Sequence, residues 1–347
     1  MPRKQFLLFL GAAWSMVLTV TVAPAWAAST YKVLHRFAGT DGRNPAASLV
    51  FDGAGNLYGT TGGGGGSQEC GTVFKLAPAG NGKWTRSVLH YFGVGQYGCG
   101  PVAGVILDTA GNLYGTTSSA GASGGGTVFK LAADGNGQWT QTVLHSFSGA
   151  DGAESHAGLI FDNAGNLYGT TEAGGAFGEG TVFQLTRGTN GQWTETLLYS
   201  FCSASNCSDG AQPLAGVVFD AAGNLYGTTS VGGDTRFCSG EGCGTVFQLT
   251  PGSNGKWTET VLHSFNLADG SDPRASLILD QSGNLYGTTI GIDAPRRVPT
   301  AAAPYSSFRP AHKGNGPRTY CIASVRSLNA RTEQIPQQIS PSTGPGT

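Results

Sequence analysis

The sequence predicts an all-β fold, a β-propeller of four-stranded antiparallel blades with four complete blades and an incomplete fifth. Three observations support this prediction. One motif recurs five times at intervals of 54 to 60 residues, the segments around it have the composition of short strands, and turn signals separate those segments. An open or partial ring of the same blades is the alternative that the sequence leaves open.

The recurring unit is built around Gly-Asn-Leu-Tyr-Gly-Thr-Thr. An apolar run ending in Asp precedes each copy, Gly-Thr-Val-Phe-Lys/Gln-Leu follows the first four copies, and a segment that begins with Trp-Thr then runs to a Phe. These segments predict strands a, b, c and d of one blade, a meander that is too small to be stable alone. The motif asparagines are Asn56, Asn112, Asn166, Asn224 and Asn284.

Local patterns support each strand in turn. Strand a is apolar at consecutive positions, which is typical of a strand covered on both faces. The Asp-x-x-Gly-Asn between strands a and b predicts a capped turn, and the Asn-Gly between strands c and d predicts a tight hairpin. Strand d alternates, as in Trp84, Val88 and His90 on one side. A lone strand d at residues 31–37 is expected to join the last blade and close the ring.

The chain's ends and composition indicate export. Residues 1–27 predict a signal peptide, with Arg3 and Lys4, an apolar run and a small-x-small cleavage site; an uncleaved anchor is the alternative. Residues 28–290 are the predicted repeat domain. A formal net charge of −1 excludes a basic nucleic-acid binder. We therefore expect a secreted, cell-surface or periplasmic monomer with no membrane span in the mature chain.

Cysteine usage agrees with an oxidising compartment. Six of the seven cysteines lie in the repeat region, and we expect them to form disulfides. Cys70 is predicted to pair with Cys99, whereas Cys202, Cys207, Cys238 and Cys243 pair either locally or across the loops. Neither a metal nor a cofactor is predicted.

The iterated Asp-x-x-Gly-Asn-Leu-Tyr-Gly-Thr-Thr, the Gly-Gly loops and Gly-Thr-Val-Phe-Lys-Leu resemble the bacterial GloVer (Gloeo/Verruco) tandem-repeat proteins. The resemblance covers roughly residues 31–290. It implies an exported or surface-held repeat protein of no established activity.

One face of the predicted ring varies between copies. The b–c and d–a loops differ in length and charge, whereas the a–b and c–d turns are nearly the same in each copy, so non-repeated polar residues on the variable face are the predicted ligand-binding candidates. Glu154 and His156 are expected to lie near Glu172 and Glu179, as an acid-base or metal cluster or as solvated loop charges. The candidates are Gln68, Glu69, Tyr97, Glu154, His156, Glu172, Glu179, Asp234, Arg236 and Glu241.

Residues that recur in every copy are interpreted as structural. A histidine of strand d is expected to bond to a neighbouring strand, and the Asp-Gly of each d–a connector is expected to form a turn. The histidines are His35, His90, His145 and His263, with Tyr199 in blade 3, and the aspartates are Asp41, Asp151, Asp209 and Asp269.

Two functions follow from these patterns. The first is a non-enzymatic extracellular binding or scaffold module, for a glycan or another component of the cell envelope, with no catalytic residues. The alternative is a propeller-type lyase, hydrolase or lactonase, which requires acidic, His or Asn side chains from different blades to converge at the central mouth of the loop-rich face.

Residues 291–347 are predicted to be a disordered tail produced by a shift of reading frame. Gly-Thr-Val-Phe-Lys-Leu is missing after the fifth motif, yet residues 302–308 can be encoded by codons that would spell it when read from the third base. Without that strand, blade 5 is expected to have an open edge along strand b.

Overall fold

The computed structural model describes residues 32–291 and 319–322. The predicted signal peptide and most of the predicted tail therefore lie outside the described residues. The chain divides into Met1–Leu34, of which only 32–34 are described, and His35–Thr347, which contains every blade. Apart from two single-turn 3₁₀ helices, Ser205–Cys207 and Cys238–Gly240, the described residues form strands and loops. None of their helices has the length and hydrophobicity to cross a membrane.

Four complete blades confirm the predicted fold class, since each is an antiparallel sheet in the order a–b–c–d. Strands c and d pair over seven positions with a register shift after the Val of Gly-Thr-Val-Phe. Blade 1 contains Val50–Phe51, Leu57–Thr61, Thr72–Pro78 and Trp84–Tyr91. Blade 2 contains Ile106–Leu107, Leu113–Thr117, Thr127–Ala133 and Trp139–Ser146. Blade 3 contains Ile160–Phe161, Leu167–Thr171, Thr181–Arg187 and Trp193–Ser200. Blade 4 contains Val218–Phe219, Leu225–Thr229, Thr245–Pro251 and Trp257–Ser264.

Blade 5 differs from its prediction at one edge. Its strands a and b are Ile278–Leu279 and Leu285–Thr288. The expected open edge is wrong, because Thr319–Ile322 pairs with Leu285–Thr288 as a parallel third strand. An unpaired row of backbone donors and acceptors readily takes any extended segment, which explains why a segment without the strand c sequence pairs there.

The lone strand d predicted at residues 31–37 is also wrong, since residues 32–37 form no strand. A strand d pairs with a strand c, and blade 5 has no antiparallel strand c among the described residues. Phe37 nevertheless packs edge-on against Phe74, with ring centroids 5.0 Å apart. The same contact joins Phe92 to Phe129 at 5.0 Å. The end of the segment 32–37 therefore makes the blade-to-blade contact of a strand d, although it does not pair with a strand c.

Hydrophobic packing joins each blade to the next. One core cluster combines Val73 and Phe92 of blade 1 with Leu113 and Phe129 of blade 2, all of them buried. Trp139 of blade 2 lies 6.4 Å from Tyr58 of blade 1, ring centroid to ring centroid. Because each core cluster spans two blades, a single blade has no complete core of its own.

The segments just before strand a lie against one another at the inner edge of the blades. A Cβ built on Gly216 would lie 2.9 Å from the carbonyl oxygen of Gly158. A Cβ on Gly104 would lie 2.8 Å from the carbonyl oxygen of Ser48, whereas one on Gly158 has its nearest neighbour at 3.9 Å. The inner segments therefore pack backbone to backbone, and glycine is required where the approach is closest.

The a–b turns confirm the predicted Asp caps. Asp220 accepts hydrogen bonds from the Ala222 and Asn224 N–H groups, the Asn224 amide and the Tyr226 hydroxyl, at 2.7 to 3.0 Å. Burial raises the pKa of Asp220, but the hydrogen bonds from Asn224, Tyr226 and Ala222 outweigh it and leave the pKa below 3.8. The same bonds recur at Asp52, Asp108, Asp162 and Asp280.

Candidate functional site

One pattern of backbone hydrogen bonds, which we call the frame, recurs in each d–a connector. One connector residue bonds through its N–H to the preceding blade and through its carbonyl to the end of strand b of its own blade. In blade 3, the Glu154 N–H donates to the Gly125 carbonyl of blade 2 at 2.9 Å, and the Glu172 N–H donates to the Glu154 carbonyl at 3.0 Å. The central residue takes the left-handed conformation, with φ of 59° at Glu154. Gly100 fills this position in blade 2 with φ of 72°, so the backbone itself needs no side chain there.

The frame brings three predicted residues of blade 3 together. Glu154 and His156 are two residues apart in the d–a connector, and the chain that carries Glu172 is hydrogen-bonded to this connector. One side-chain nitrogen or oxygen atom from each of Glu154, His156 and Glu172 lies within 4.8 Å of the other two. His156 Nδ1 is 3.4 Å from Glu172 Oε2. Glu179 has a different partner and accepts a hydrogen bond from Gln212 Nε2 at 3.2 Å.

A pocket of about 390 Å³ opens beside this cluster. Blade 3 contributes His156 and Glu172 to its lining, and the connectors of blades 4 and 5 contribute Gln212, Asp272 and Arg274. The Arg274 guanidinium donates to Asp272 at 2.8 Å. That hydrogen bond raises the pKa of Arg274 most, and the charges of Asp272 and Glu172 raise it further. The remaining lining residues are Leu214, Ser230, Val231, Cys238, Glu241, Gly242, Cys243 and Ser271.

The other sequence-predicted candidates lie in separate loops and bond to residues outside the pocket. Gln68 Oε1 accepts the Val94 N–H, and Glu69 forms an ion pair with Arg43 at 2.8 Å. Tyr97 is half exposed, and its carbonyl accepts a hydrogen bond from the Gln141 side chain at 2.8 Å. Asp234 accepts two hydrogen bonds from Arg236 Nε at 2.9 and 3.1 Å. Of the ten candidates, only His156, Glu172 and Glu241 line the pocket, with Glu154 beside them.

Three pocket residues were missed from the sequence, namely Gln212, Asp272 and Arg274. Gln212 and Asp272 stand where blade 3 has Glu154, with φ of 56° and 55°. Arg274 stands where blade 3 has His156, two positions further on. Aligning the d–a connectors by their Asp-Gly pairs would have identified all three, because they are polar residues that the repeat does not require.

The repeated histidines have partners other than those predicted. His35 and His145 Nε2 lie 2.8 Å from the connector carboxylates of Asp41 and Asp151, and His263 lies 3.0 Å from Asp269. For these three histidines the predicted bond to a neighbouring strand is therefore wrong. The connector aspartate also accepts the turn N–H groups, as from Ala38 to Asp41 at 2.7 Å. One carboxylate thus stabilises the turn and positions the imidazole.

His90 breaks this pattern, because the connector after it has Tyr97 where the other blades have Asp. His90 Nε2 is buried without a hydrogen-bond partner within the described part of the chain. Burial lowers the pKa of His90, against a smaller opposing effect of the Gln141 side chain.

A second polar series lies on strand d next to these aspartates. Burial, and then the charge of Asp151, raises the pKa of Glu195 to about 7. Burial and the charge of Asp209 raise the pKa of Glu259 in the same way, also to about 7. One carboxylate oxygen of each glutamate is buried without a partner among the described atoms. Blade 1 has Arg86 at the equivalent position, 3.2 Å from Asp41.

Three disulfides are formed within the described loops. Cys70 pairs with Cys99, as predicted, and links the loops on either side of blade 1. The remaining four cysteines pair locally, Cys202 with Cys207 and Cys238 with Cys243. The Cys238–Cys243 bridge fixes the loop that carries Glu241 and forms one wall of the pocket.

Comparisons with known proteins give one family match. Residues 17–136 and 65–294 match the model described as the Gloeobacter/Verrucomicrobia repeat. No curated protein sequence matches the chain.

Two solved structures are similar at low identity. PorZ, an essential bacterial surface component of the type-IX secretion system of Porphyromonas gingivalis, is 15% identical with a TM-score of 0.40, over 70% of this chain and 32% of that one. An α-L-arabinofuranosidase from Clostridium thermocellum is 13% identical with a TM-score of 0.35, over 62% of this chain and 70% of the enzyme. The chain thus spans about a third of the length of PorZ.

Proposed function

The chain belongs to the Gloeobacter/Verrucomicrobia repeat family, and we propose that it is an extracellular binding module whose ligand occupies the pocket formed by blades 3, 4 and 5. One observation carries this proposal. Polar side chains that the repeat does not require converge on that pocket from the connectors of three blades, as His156, Gln212 and Arg274 do. Three disulfides support a location outside the reducing cytoplasm.

The lining favours a ligand rich in hydroxyl groups. Carboxylates, an amide, serine hydroxyls and one guanidinium supply donors and acceptors for hydroxyls, while Leu214 and Val231 offer a small apolar surface for the C–H face of a ring. Polysaccharides of the cell envelope have this combination of groups. We therefore propose a glycan as the ligand class, and the envelope as the place where the protein works.

The test is direct binding of the purified chain to a panel of envelope and plant polysaccharides. Arg274→Ala removes the pocket's guanidinium, and the frame accepts Ala because blade 1 has Ala46 at this position. We expect at least about a tenfold loss of affinity, as for a hydrogen bond to a charged group. The control is Glu69→Gln, which removes a carboxylate that lies outside the pocket and pairs with Arg43.

Two results would contradict the proposal. One is the absence of binding to every polysaccharide by a chain that is folded as judged by circular dichroism. The other is a bound polysaccharide whose affinity is the same for Arg274→Ala and the unmodified chain, because binding would then take place elsewhere.

A second candidate function is a propeller-type hydrolase or lyase. The clustering of Glu154, His156 and Glu172 within 4.8 Å favours it, because paired carboxylates and an imidazole are general acid-base groups. Incubation with each bound polysaccharide, followed by assays for reducing ends and for unsaturated products, separates the two functions. Turnover abolished by Glu172→Gln would indicate an enzyme, and binding without turnover would indicate a binding module.

A further inference from the structure

The cluster of Glu154, His156 and Glu172 has the composition of a metal centre. It combines two carboxylates and one imidazole, and it is the only group of three such side chains brought together in the described part of the chain. We propose that these three residues bind one divalent cation of the Zn²⁺ or Mn²⁺ class. The inference rests on the proposed function, since the cation would present its open coordination positions to the ligand of the same pocket.

The backbone fixes the three residues at a spacing that suits the binding of one cation. Hydrogen bonds between the connector and the end of strand b fix the Cα positions of Glu154 and Glu172, and the Ala153–Ala173 bridge extends this pairing. Ligand atoms about 2.1 Å from one metal lie roughly 3.0 to 3.5 Å apart at neighbouring positions. His156 Nδ1 and Glu172 Oε2 are 3.4 Å apart. The exposed Glu154 side chain completes the set through a small rotation of its flexible chain.

The other blades show that the fold does not require this composition. The same three frame positions are occupied in every blade, in the order left-handed residue, second residue after it, and the residue that directly follows Leu-Tyr-Gly-Thr-Thr. They are Asn44, Ala46 and Gly62 in blade 1; Gly100, Val102 and Ser118 in blade 2; Gln212, Leu214 and Ser230 in blade 4; and Asp272, Arg274 and Ile290 in blade 5. Only blade 3 places three metal-binding side chains on the frame, at a position where Gly is sterically preferred.

Charge around the cluster also favours a cation. Glu172, Glu241 and Asp272 line the pocket together with a single cationic side chain, Arg274, which is paired with Asp272. The pocket therefore carries an excess of negative charge that attracts cations. One imidazole nitrogen with two carboxylates suits Zn²⁺ or Mn²⁺ better than Ca²⁺ or Mg²⁺, which prefer oxygen ligands alone.

Three protein ligands leave coordination positions open on the pocket side. A pair of neighbouring hydroxyls or a carboxylate of a sugar can fill such positions directly, as oxygen ligands of the cation. The proposal therefore narrows the ligand class to glycans with adjacent free hydroxyls or with uronic acid groups.

The test uses the purified full chain without a polyhistidine tag, treated with a chelator and titrated calorimetrically with ZnCl₂ and, separately, with MnCl₂. The decisive variant carries Glu154→Gln, His156→Leu and Glu172→Ser, which are the residues of blade 4 at the same frame positions. Because blade 4 already folds with them, loss of folding is not expected, and the melting temperature verifies this. Glu69→Gln again serves as the control with one carboxylate fewer outside the site.

We expect one cation per chain for the unmodified protein and for the control. The triple variant of blade 3 should bind the cation at least about tenfold more weakly. The absence of saturable binding, or binding that the substitutions leave unchanged, would overturn the inference. Polysaccharide binding with and without chelator separates this outcome from the proposed function. Chelator-insensitive glycan binding that is lost in Arg274→Ala, together with no saturable cation binding, supports the function and refutes the metal, whereas cation binding without any glycan binding supports the metal alone.

Discussion

Glu195→Gln should stabilise the protein at alkaline pH and leave its stability unchanged at acidic pH. Glu195 is half-buried on strand d of blade 3, and burial together with the charge of Asp151 raises its pKa to about 7. A raised carboxyl pKa means that the folded state favours the protonated form. The associated stability is complete below the ordinary pKa of 4.5 and is lost as the pH rises through 7.

The size of the effect follows from this shift. A change from 4.5 to about 7 corresponds to at most about 3.4 kcal/mol, at about 1.36 kcal/mol for each pH unit. Solvent screens a half-exposed carboxyl, so we expect about 1 to 2 kcal/mol. Gln is compatible with the position because blade 2 has Gln141 there. Its amide can donate to the Asp151 carboxylate, which removes the repulsion between two charges at high pH.

The assay is urea unfolding of the unmodified chain and the variant at pH 5 and pH 8. We expect superimposed curves at pH 5 and a higher urea midpoint for Glu195→Gln at pH 8. Glu259→Gln should behave in the same way because Asp209 stands beside it, and the exposed Glu69→Gln should shift neither curve. A variant that is destabilised at pH 8, or equally affected at both pH values, would refute the electrostatic explanation.

Four further predictions concern the scaffold and the gene. Gly216→Ala should lower the free energy of unfolding by about 1 to 3 kcal/mol through its clash with the facing inner segment, whereas Gly158→Ala, with no atom closer than 3.9 Å, should be tolerated; equal urea midpoints would contradict this. Asp220→Ala should cost about 1 to 2 kcal/mol at pH 7. Because the folded-state pKa of Asp220 is below 3.8, this stabilisation is present above pH 3.8 and is lost as the pH falls through the lower value; a cost that does not decrease as the pH is lowered below 3.8 would contradict it. Thiol labelling of the denatured, unreduced chain should mark Cys321 alone, and six or seven labelled cysteines would disprove the disulfides. Sequencing the gene should show codons of residues 302–308 that spell Gly-Thr-Val-Phe-Lys-Leu in the shifted frame, and other codons would disprove the frame shift.

Local sequence patterns were sufficient to predict the blades. Each strand and turn depends on residues close together in the chain, such as the Asp220 carboxylate that caps its own turn. Five copies of such a unit, each unable to bury its apolar faces alone, must stack. The Cys70–Cys99 pair was predictable for a related reason, since both residues lie in loops that flank blade 1.

The candidate site was only partly predictable. Glu154, His156 and Glu172 could be grouped because they flank strands a and b of one blade. Their convergence with Gln212 and Arg274 depends on how neighbouring connectors lie side by side around the inner edge. Likewise, the pairing of His145 with Asp151 depends on a turn that returns the connector to the histidine six residues earlier.

The sequence by itself determined the strands, their order within each blade, the repeat and the face on which variation is concentrated. Only the tertiary structure decided which variable residues share a pocket, which cysteines pair locally, and that Thr319–Ile322 pairs along the edge of blade 5. The physical reason is the separation in sequence of the residues that make each kind of contact. Turns and strands are encoded by neighbours in sequence. Side chains from three blades meet only after stacking has set the distances between connectors whose equivalent positions, Glu154, Gln212 and Asp272, lie 58 and 60 residues apart in the chain.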